Sequence, residues 1–148
     1  TRDNDVARIA LCGVEDTPGK AFSVFRMLAK HGISVDLIIQ SIGNGEKKDI
    51  SFTVTEEDLQ SVLDLLEENK AIVKADEVKW TKDVSKVSIV GAGMVNNSGV
   101  AATMFEALYD AHININMIAT SEIKISVLVD RKDAEAAVVA IHDKFLLK

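Results

Sequence analysis

The residues best placed by type and spacing to meet a ligand are Asp16-Thr17-Pro18-Gly19, which close an apolar run and open a helical pattern. Gly19 lets a ligand approach the backbone closely, and the N–H groups that follow form a helix N-terminus, which favours a carboxylate. Asp16 beside it suits an ammonium or a hydroxyl, and together these groups would recognise a free α-amino acid. The same residues also make an ordinary turn, with Asp capping and Pro-Gly reversing the chain, and local pattern does not separate the two readings. Gln40 follows Leu37-Ile38-Ile39 in a run that reads as a buried strand. An amide there must find partners, unless the strand end reaches solvent. Asn114 and Asn116 interrupt Ile113, Ile115 and Met117, so alternation expects one polar strand face that is exposed or meets a ligand or partner.

No constellation for catalysis stands beside these groups. His31 and His112 occupy or adjoin helix C-termini, where a cation offsets the dipole, and His142 falls in the last helix. None has a carboxylate or cysteine at metal-ligand spacing. Gly91-Ala92-Gly93 follows a strand, but position 96, where a dinucleotide fingerprint needs its third glycine, is Asn. No GxxxxGK[ST] phosphate loop occurs. The one cysteine, Cys12, excludes an internal disulfide and a CxxC metal site, reads as a small buried hydrophobe and fits a reducing cytoplasm. A net charge of −6 argues against nucleic acid or an anionic membrane as the main partner. No apolar run approaches the roughly 20 residues of a membrane span, and no secretory signal pattern opens the chain. Thr1 stands first without a methionine, which reads as a piece of something longer.

The elements that must position these residues occur twice. Residues 19–41 moved by 80 positions fall on 99–121, with Gly19/Gly99, Ala21/Ala101, Phe25/Phe105, Leu28/Leu108, Ile33/Ile113, Ile38/Ile118 and Ser41/Ser121 identical. A repeat of this length means two copies of one small domain, each with a marginal core, that lean on each other or on a second chain. In the first copy Ile9–Val14 reads as a strand, Phe22, Phe25, Met27 and Leu28 as a helix stopped by His31-Gly32, and Ile33–Ser41 as a buried strand. Gly43-Asn44-Gly45 turns into a strand alternating at Ile50, Phe52 and Val54, and Thr55 caps a helix with an acidic first turn that is lined by Leu59, Val62, Leu63 and Leu66. Val78 and Trp80 mark a short last strand, so the order is β-α-β-β-α-β. The second copy repeats it: strand Val87–Val90, helix Val100–Tyr109, strands Ile113–Ala119 and Ile125–Val129, and helix Lys132–Phe145 through Ala136, Val139 and Ile141. Asp83-Val84-Ser85 is the only joint. The second copy has no fourth strand after its last helix; Thr1–Val6 supplies it, residues beyond the chain do, or one sheet edge stays open.

With this repeat and a D-x-P-G loop before the first helix, the chain resembles a tandem of ACT domains, the modules that bind amino acids in metabolic enzymes. Val14-Glu15-Asp16-Thr17-Pro18-Gly19 and Ile33-Ser34-Val35-Asp36-Leu37-Ile38-Ile39-Gln40 resemble the first ACT domain of aspartate kinases. Lys86-Val87-Ser88-Ile89-Val90-Gly91-Ala92-Gly93-Met94 and Thr120-Ser121-Glu122-Ile123-Lys124-Ile125-Ser126-Val127 resemble the second. The resemblance implies an α+β fold of two tandem ferredoxin-like βαββαβ domains packed together, 7–83 and 84–148, the second lacking its own C-terminal strand. It implies a regulatory region that senses lysine, threonine or both and shuts down the kinase by feedback, as a truncation or as a separate regulatory subunit. The kinase domain, absent here, would carry ATP and Mg, so no cofactor is expected in this chain. The implied partners are that catalytic domain or subunit and a second copy in a cytoplasmic homodimer.

In the family the effector lies where two ACT domains pack side by side. Carried over by motif, the contacts are Asp16, Pro18, Gly19, Ala21 and Gln40 from the first domain, with Asn114 and Ile115 from the second. Asp16 and Gln40 would read the effector's polar groups, and backbone at Gly19 and Ile115 would hold its carboxylate and ammonium. The second copy's loop, Met94-Val95-Asn96-Asn97-Ser98-Gly99, lacks D-x-P-G. A second effector site there would use Ser98, Val100, Ala101 and Ser121. Two other classes compete: a kinase in its own right, against which the missing phosphate loop argues, and a pure dimerisation module in which Asp16 and Gln40 are structural.

Overall fold

The computed structural model describes residues 2–15, 19–41, 47–90, 99–120 and 124–146. The chain divides into two compact units, Asp5–Lys82 and Thr1–Asn4 with Asp83–Lys148. The first unit contains most of β1 (Arg2–Glu15), α1 (Lys20–Lys30), β2 (Ile38–Gln40), β3 (Lys47–Thr55), α2 (Leu59–Glu68), the short α3 (Lys70–Val73) and the start of β4 (Glu77–Val90). Its strands run β4-β1-β3-β2. The antiparallel register Ile9↔Phe52 and Leu11↔Ile50 puts these four apolar residues on one face, because directly opposed side chains share a face. Val24, Met27 and Leu28 of α1 and Leu59, Val62, Leu65 and Leu66 of α2 recur at helical spacing and close over that face. Phe25 meets Phe52 edge to face, with ring centroids 5.4 Å apart at 84°.

The second unit takes the rest of β4, then α4 (Gly99–Asp110), β5 (Ile115–Thr120), β6 (Lys124–Asp130) and α5 (Ala134–Leu146). Its strand order is β1-β4-β6-β5, the same arrangement with the N-terminal Arg2–Asn4 segment of β1 in the fourth-strand place. Ser85 Oγ donates to Asn4 Oδ1 at 2.6 Å and Arg131 Nη2 donates to Asn4 O at 2.8 Å, which ties that segment down. Val87↔Val127 and Ile89↔Ile125 set the core face, covered by Met104, Ala107 and Leu108 of α4 and Ala134, Ala137 and Ile141 of α5.

The repeat holds at the level of single hydrogen bonds. Ser23 Oγ donates to Gly19 O at 3.0 Å, and Thr103 Oγ1, its counterpart, to Gly99 O at 2.7 Å. Both helices end in the same cap: Ile33 N–H donates to Leu28 O at 3.1 Å and Ile113 N–H to Leu108 O at 2.9 Å. The left-handed residue of each cap is Gly32, φ +75°, and His112, φ +58°.

Several expectations change. Phe22 is exposed, and Val24 takes its place in the α1 stripe. Ile33–Ser41 is regular only over Ile38–Gln40, because Thr53 bonds Asp36 and Leu37 through both backbone and hydroxyl before the ladder begins. This strand lies at the sheet edge, so Ile38 is exposed rather than buried. Thr55 makes no side-chain cap; a 3-10 turn over Glu56–Asp58 leads into α2 instead. Asp83-Val84-Ser85 is not a break between two strands, since β4 runs unbroken through it, but the two units do divide there, between Lys82 and Asp83. On α5, Ala136 and Val139 face outward, and the buried stripe is Ala134, Ala137 and Ile141. Cys12 is half-buried. Gly43-Asn44-Gly45 lies outside the described residues.

Two predictions follow from these contacts. A side chain in the left-handed region costs about 1–2 kcal/mol, partly offset by the roughly 0.4–1 kcal/mol by which glycine loosens the unfolded chain. His112→Gly should therefore raise stability by up to ~1 kcal/mol, read as a higher urea midpoint; a lower midpoint would contradict the strained cap. Lys144 clamps α5 to α4, its Nζ 3.1 Å from Asp110 Oδ2 and 3.1 Å from Glu106 Oε1. The hydrogen bonds to Asp110 and then Glu106 hold its pKa above the ordinary lysine value. A folded pKa above the unfolded one means that the contribution is complete below the unfolded pKa and is lost as pH rises through the folded pKa. Lys144→Met should flatten the alkaline fall in Tm between about pH 9 and 12, while an unchanged profile would show that the clamp carries no linkage.

Candidate functional site

In the first unit, Gly19 heads α1 at φ +86°, in the left-handed region. A Cβ built there would meet nothing within 4 Å, so the backbone angle and not crowding requires glycine. Gly19 has no side chain to cap the helix, and no acidic residue stands in the first turn. The first backbone N–H groups of α1, those of Lys20, Ala21 and Phe22, have no intrahelical acceptor by geometry, which suits them to an anion. Ala21 packs half-buried against the core. Gln40 ends β2 opposite Ile50, on the same sheet face as α1, and is exposed. Its amide therefore sits at a sheet edge in contact with solvent, as the strand-end reading allowed. Asp16 and Pro18 lie outside the described residues.

In the second unit, Asn114 is exposed just before β5, and Ile115 opens that strand, half-buried against the core. The β5–β6 register shifts between Ile115 and Met117, so Asn116 sits in an irregularity instead of continuing a polar face. Asn116 Nδ2 donates to Asp130 Oδ1 at 3.0 Å, a structural partner for that amide. Of the second predicted group, Val100 and Ala101 pack against the core at the start of α4, which leaves their backbone as the part able to meet a ligand. Ser98 and Ser121 lie outside the described residues.

Each unit thus places its candidate residues at the open end of its first helix and on its edge strand, β2 or β5. A hollow of about 560 Å³ between α2, α3 and β4 is lined by Leu63, Leu66, Val78 and Trp80 among others, and by none of the predicted residues. The walls of that hollow are mixed, with Glu67, Lys70, Lys74, Asp76 and Glu77 beside the apolar side chains. Sequence reading overlooked Asp49, whose Oδ1 accepts the Gly13 N–H at 3.0 Å. The available signal was Gly13, a lone glycine inside a strand pattern, which marks a bulge. Among the described residues no His, Cys, Asp and Glu group is arranged to hold a metal, and no helix is long and apolar enough to cross a membrane.

The ACT domain family matches residues 9–69 and 87–145. The chain is 43% identical over 145 residues to an aspartokinase of Helicobacter pylori, covering 98% of this chain and 35% of that protein. It therefore spans about a third of the length of the curated relatives that it matches. Among solved structures, the ligand-free regulatory subunit of aspartate kinase from Thermus thermophilus aligns with a TM-score of 0.92 at 42% identity, covering 98% of this chain and 95% of that one. Escherichia coli aspartokinase III in complex with lysine and aspartate (T-state) aligns with a TM-score of 0.69 at 25% identity, covering 97% of this chain and 31% of that one. Two ACT repeats, the ferredoxin-like strand order in both units and near-complete overlap with a regulatory subunit converge on one assignment. The chain belongs to the ACT-domain family, among the regulatory ACT pairs of aspartate kinases.

Proposed function

We propose that this chain is the amino-acid-sensing region of an aspartate kinase, binding lysine, threonine or both and conveying feedback inhibition of the aspartate-family pathway to the kinase. The observation that carries the reading is the left-handed glycine at the head of α1, whose first-turn N–H groups have no intrahelical acceptor, together with the exposed edge amide of Gln40. An effector carboxylate takes the α1 N–H groups, and Asp16 takes its ammonium. Gln40 reads a hydroxyl or side-chain ammonium. Asn114 and Ile115 complete the site from a second ACT domain. The lysine held by Escherichia coli aspartokinase III supports the choice of ligand class.

The assembly follows from the edges. β2 and β5 each end a sheet, with β3 and β6 as their only strand neighbours among the described residues. Open edges of this kind seek pairing. In a homodimer the first ACT domain of one copy meets the second ACT domain of its partner there, and the effector bridges them. A second effector group at Ser98, Val100, Ala101 and Ser121 follows by repeat symmetry and works mainly through backbone. The kinase domain or subunit, with its ATP and Mg, is the downstream partner in the cytoplasm. An effector that binds one arrangement better than another shifts the equilibrium by that difference, which is all that feedback requires.

Calorimetric titration of the chain with L-lysine and with L-threonine should show saturable binding to at least one. Asp16→Ala removes a charge-assisted hydrogen bond worth about 1.5–3 kcal/mol, so affinity should fall roughly 10- to 150-fold. The ligand-free Tm should move little, since a lost turn or cap residue costs only ~1 kcal/mol. Tyr109→Ala, at a side chain 79% exposed on α4, should leave affinity unchanged. No heat with either amino acid would leave a dimerisation module; unchanged affinity with a lowered Tm in Asp16→Ala would make Asp16 a turn residue.

A further inference from the structure

We propose that Asp49 is a positioning residue that couples the two segments bearing the first unit's effector contacts, an inference that rests on the effector reading above. Between Leu11↔Ile50 and Val14↔Lys48 the pairing of β1 with β3 slips by one residue, so that Cys12 and Gly13 together face Asp49. Such a bulge takes the extra residue out of the ladder, and Gly13 adopts a left-handed φ of +69° within it. Its N–H then needs an acceptor from elsewhere, and Asp49 Oδ1 supplies it at 3.0 Å. The main chain of the same residue holds the other segment: Asp49 N–H donates to Ser41 Oγ and Ser41 N–H donates to Asp49 O, each at 2.9 Å. Ser41 directly follows Gln40, and Gly13 lies on the exit of β1 that leads toward Gly19 and α1. Asp49 thus bonds both arms, one through its carboxylate and one through its backbone.

The bulge cannot relax easily on its other side. A side chain at Gly13 would collide with the Asp76 carboxylate. Asp76 is itself fixed, its N–H donating to Cys12 O at 2.9 Å and both its carboxylate oxygens accepting from Lys47 Nζ at 2.9 Å. With Asp76 on one flank and Asp49 on the other, the bulge is held where Val14 and Glu15 rejoin the ladder opposite Lys48 and Lys47, and it is tied through Asp49 to the end of β2. Asp49 is exposed and adds nothing to the core, so a purely structural role would leave a substitution there nearly silent. A coupling role makes Gly19 and Gln40 respond together.

The test is amide-resolved NMR on the whole chain as wild type, Asp49→Asn and Asp49→Ala, first without ligand and then titrated with L-lysine and with L-threonine. Asn keeps an acceptor oxygen in the Oδ1 place, so Asp49→Asn should match wild type in shifts and affinity. In Asp49→Ala the Gly13 amide should exchange faster, resonances should shift at both Gly19–Ala21 and Gln40–Ser41, and affinity should fall by roughly 10-fold, with the melting curve still cooperative. Shifts confined to Gly13 and its chain neighbours overturn the coupling, as does an equal loss of affinity in Asp49→Asn. If wild type binds neither amino acid, the effector reading fails by itself, and the ligand-free shifts still decide whether Asp49 joins Gly19 to Gln40.

Discussion

The register of β1 against β3 is the constraint on which the first unit depends. Pairing Ile9 with Phe52 and Leu11 with Ile50 sends all four to the helix side, where they are fully buried. A slip of one residue would turn the whole set to the opposite face, because strand side chains alternate with period two. The register is then broken once, at Cys12-Gly13, after Ile9 and Leu11 have been placed; beyond the bulge Val14 rejoins the ladder opposite Lys48 and is itself fully buried in the core. The bulge lets β1 contribute to the core on both sides of it, with Ile9 and Leu11 before and Val14 after, while the Gly13 N–H turns to Asp49. A left-handed glycine within the bulge and another at the head of α1 make both changes of direction possible without strain.

The second unit reaches the same architecture with different chemistry at the corresponding points. His112 stands where Gly32 caps α1, and the D-x-P-G loop has no equivalent before α4. Parts of the core are built of smaller pieces, with Ala107, Ala134 and Ala137 where the first unit has Met27, Leu59 and Val62. A unit of this size buries little apolar surface for each residue that it orders. A complete four-stranded sheet therefore matters to it, and Arg2–Asn4, at the far end of the chain in sequence, occupies the fourth-strand place. Among the described residues the outer edges of β2 and β5 pair with no further strand. Their outward backbone groups are those that a closed sheet would have consumed.

The element order and the ferredoxin-like fold were legible because two signals agreed: the 80-residue repeat and the period-two runs at Ile50, Phe52 and Val54 and at Ile125, Val127 and Val129. What misled was apolar content without a reliable period. Ile33–Ser41 is hydrophobic almost throughout, yet Thr53 captures Asp36 and Leu37 irregularly and only three residues join the ladder. Phe22 and Val139 are large, apolar and exposed, since helix phase and not residue type decides burial. Asp83-Val84-Ser85 was legible as the place where the copies divide but not as continuous strand, because a strand can pass from one unit to the next without a turn. Of the candidate site, the places of Gly19 at the head of a helix and of Gln40 at a strand end were legible from type and position. Asp49 was not, because its bond to Gly13 joins residues 36 apart in sequence and depends on a bulge that no local pattern at Asp49 announces.

The central claim is that a free amino acid binds with its carboxylate on the N-terminus of α1 and its polar groups against Gln40. The most direct measurement is X-ray diffraction from crystals of this chain grown with saturating L-lysine or L-threonine. The account predicts density for one amino acid within hydrogen-bonding distance of the backbone N–H groups after Gly19, with Asn114 and Ile115 of a second ACT domain closing over it. Well-ordered density for the amino acid at another place, with the α1 N-terminus bound only to water, would contradict it.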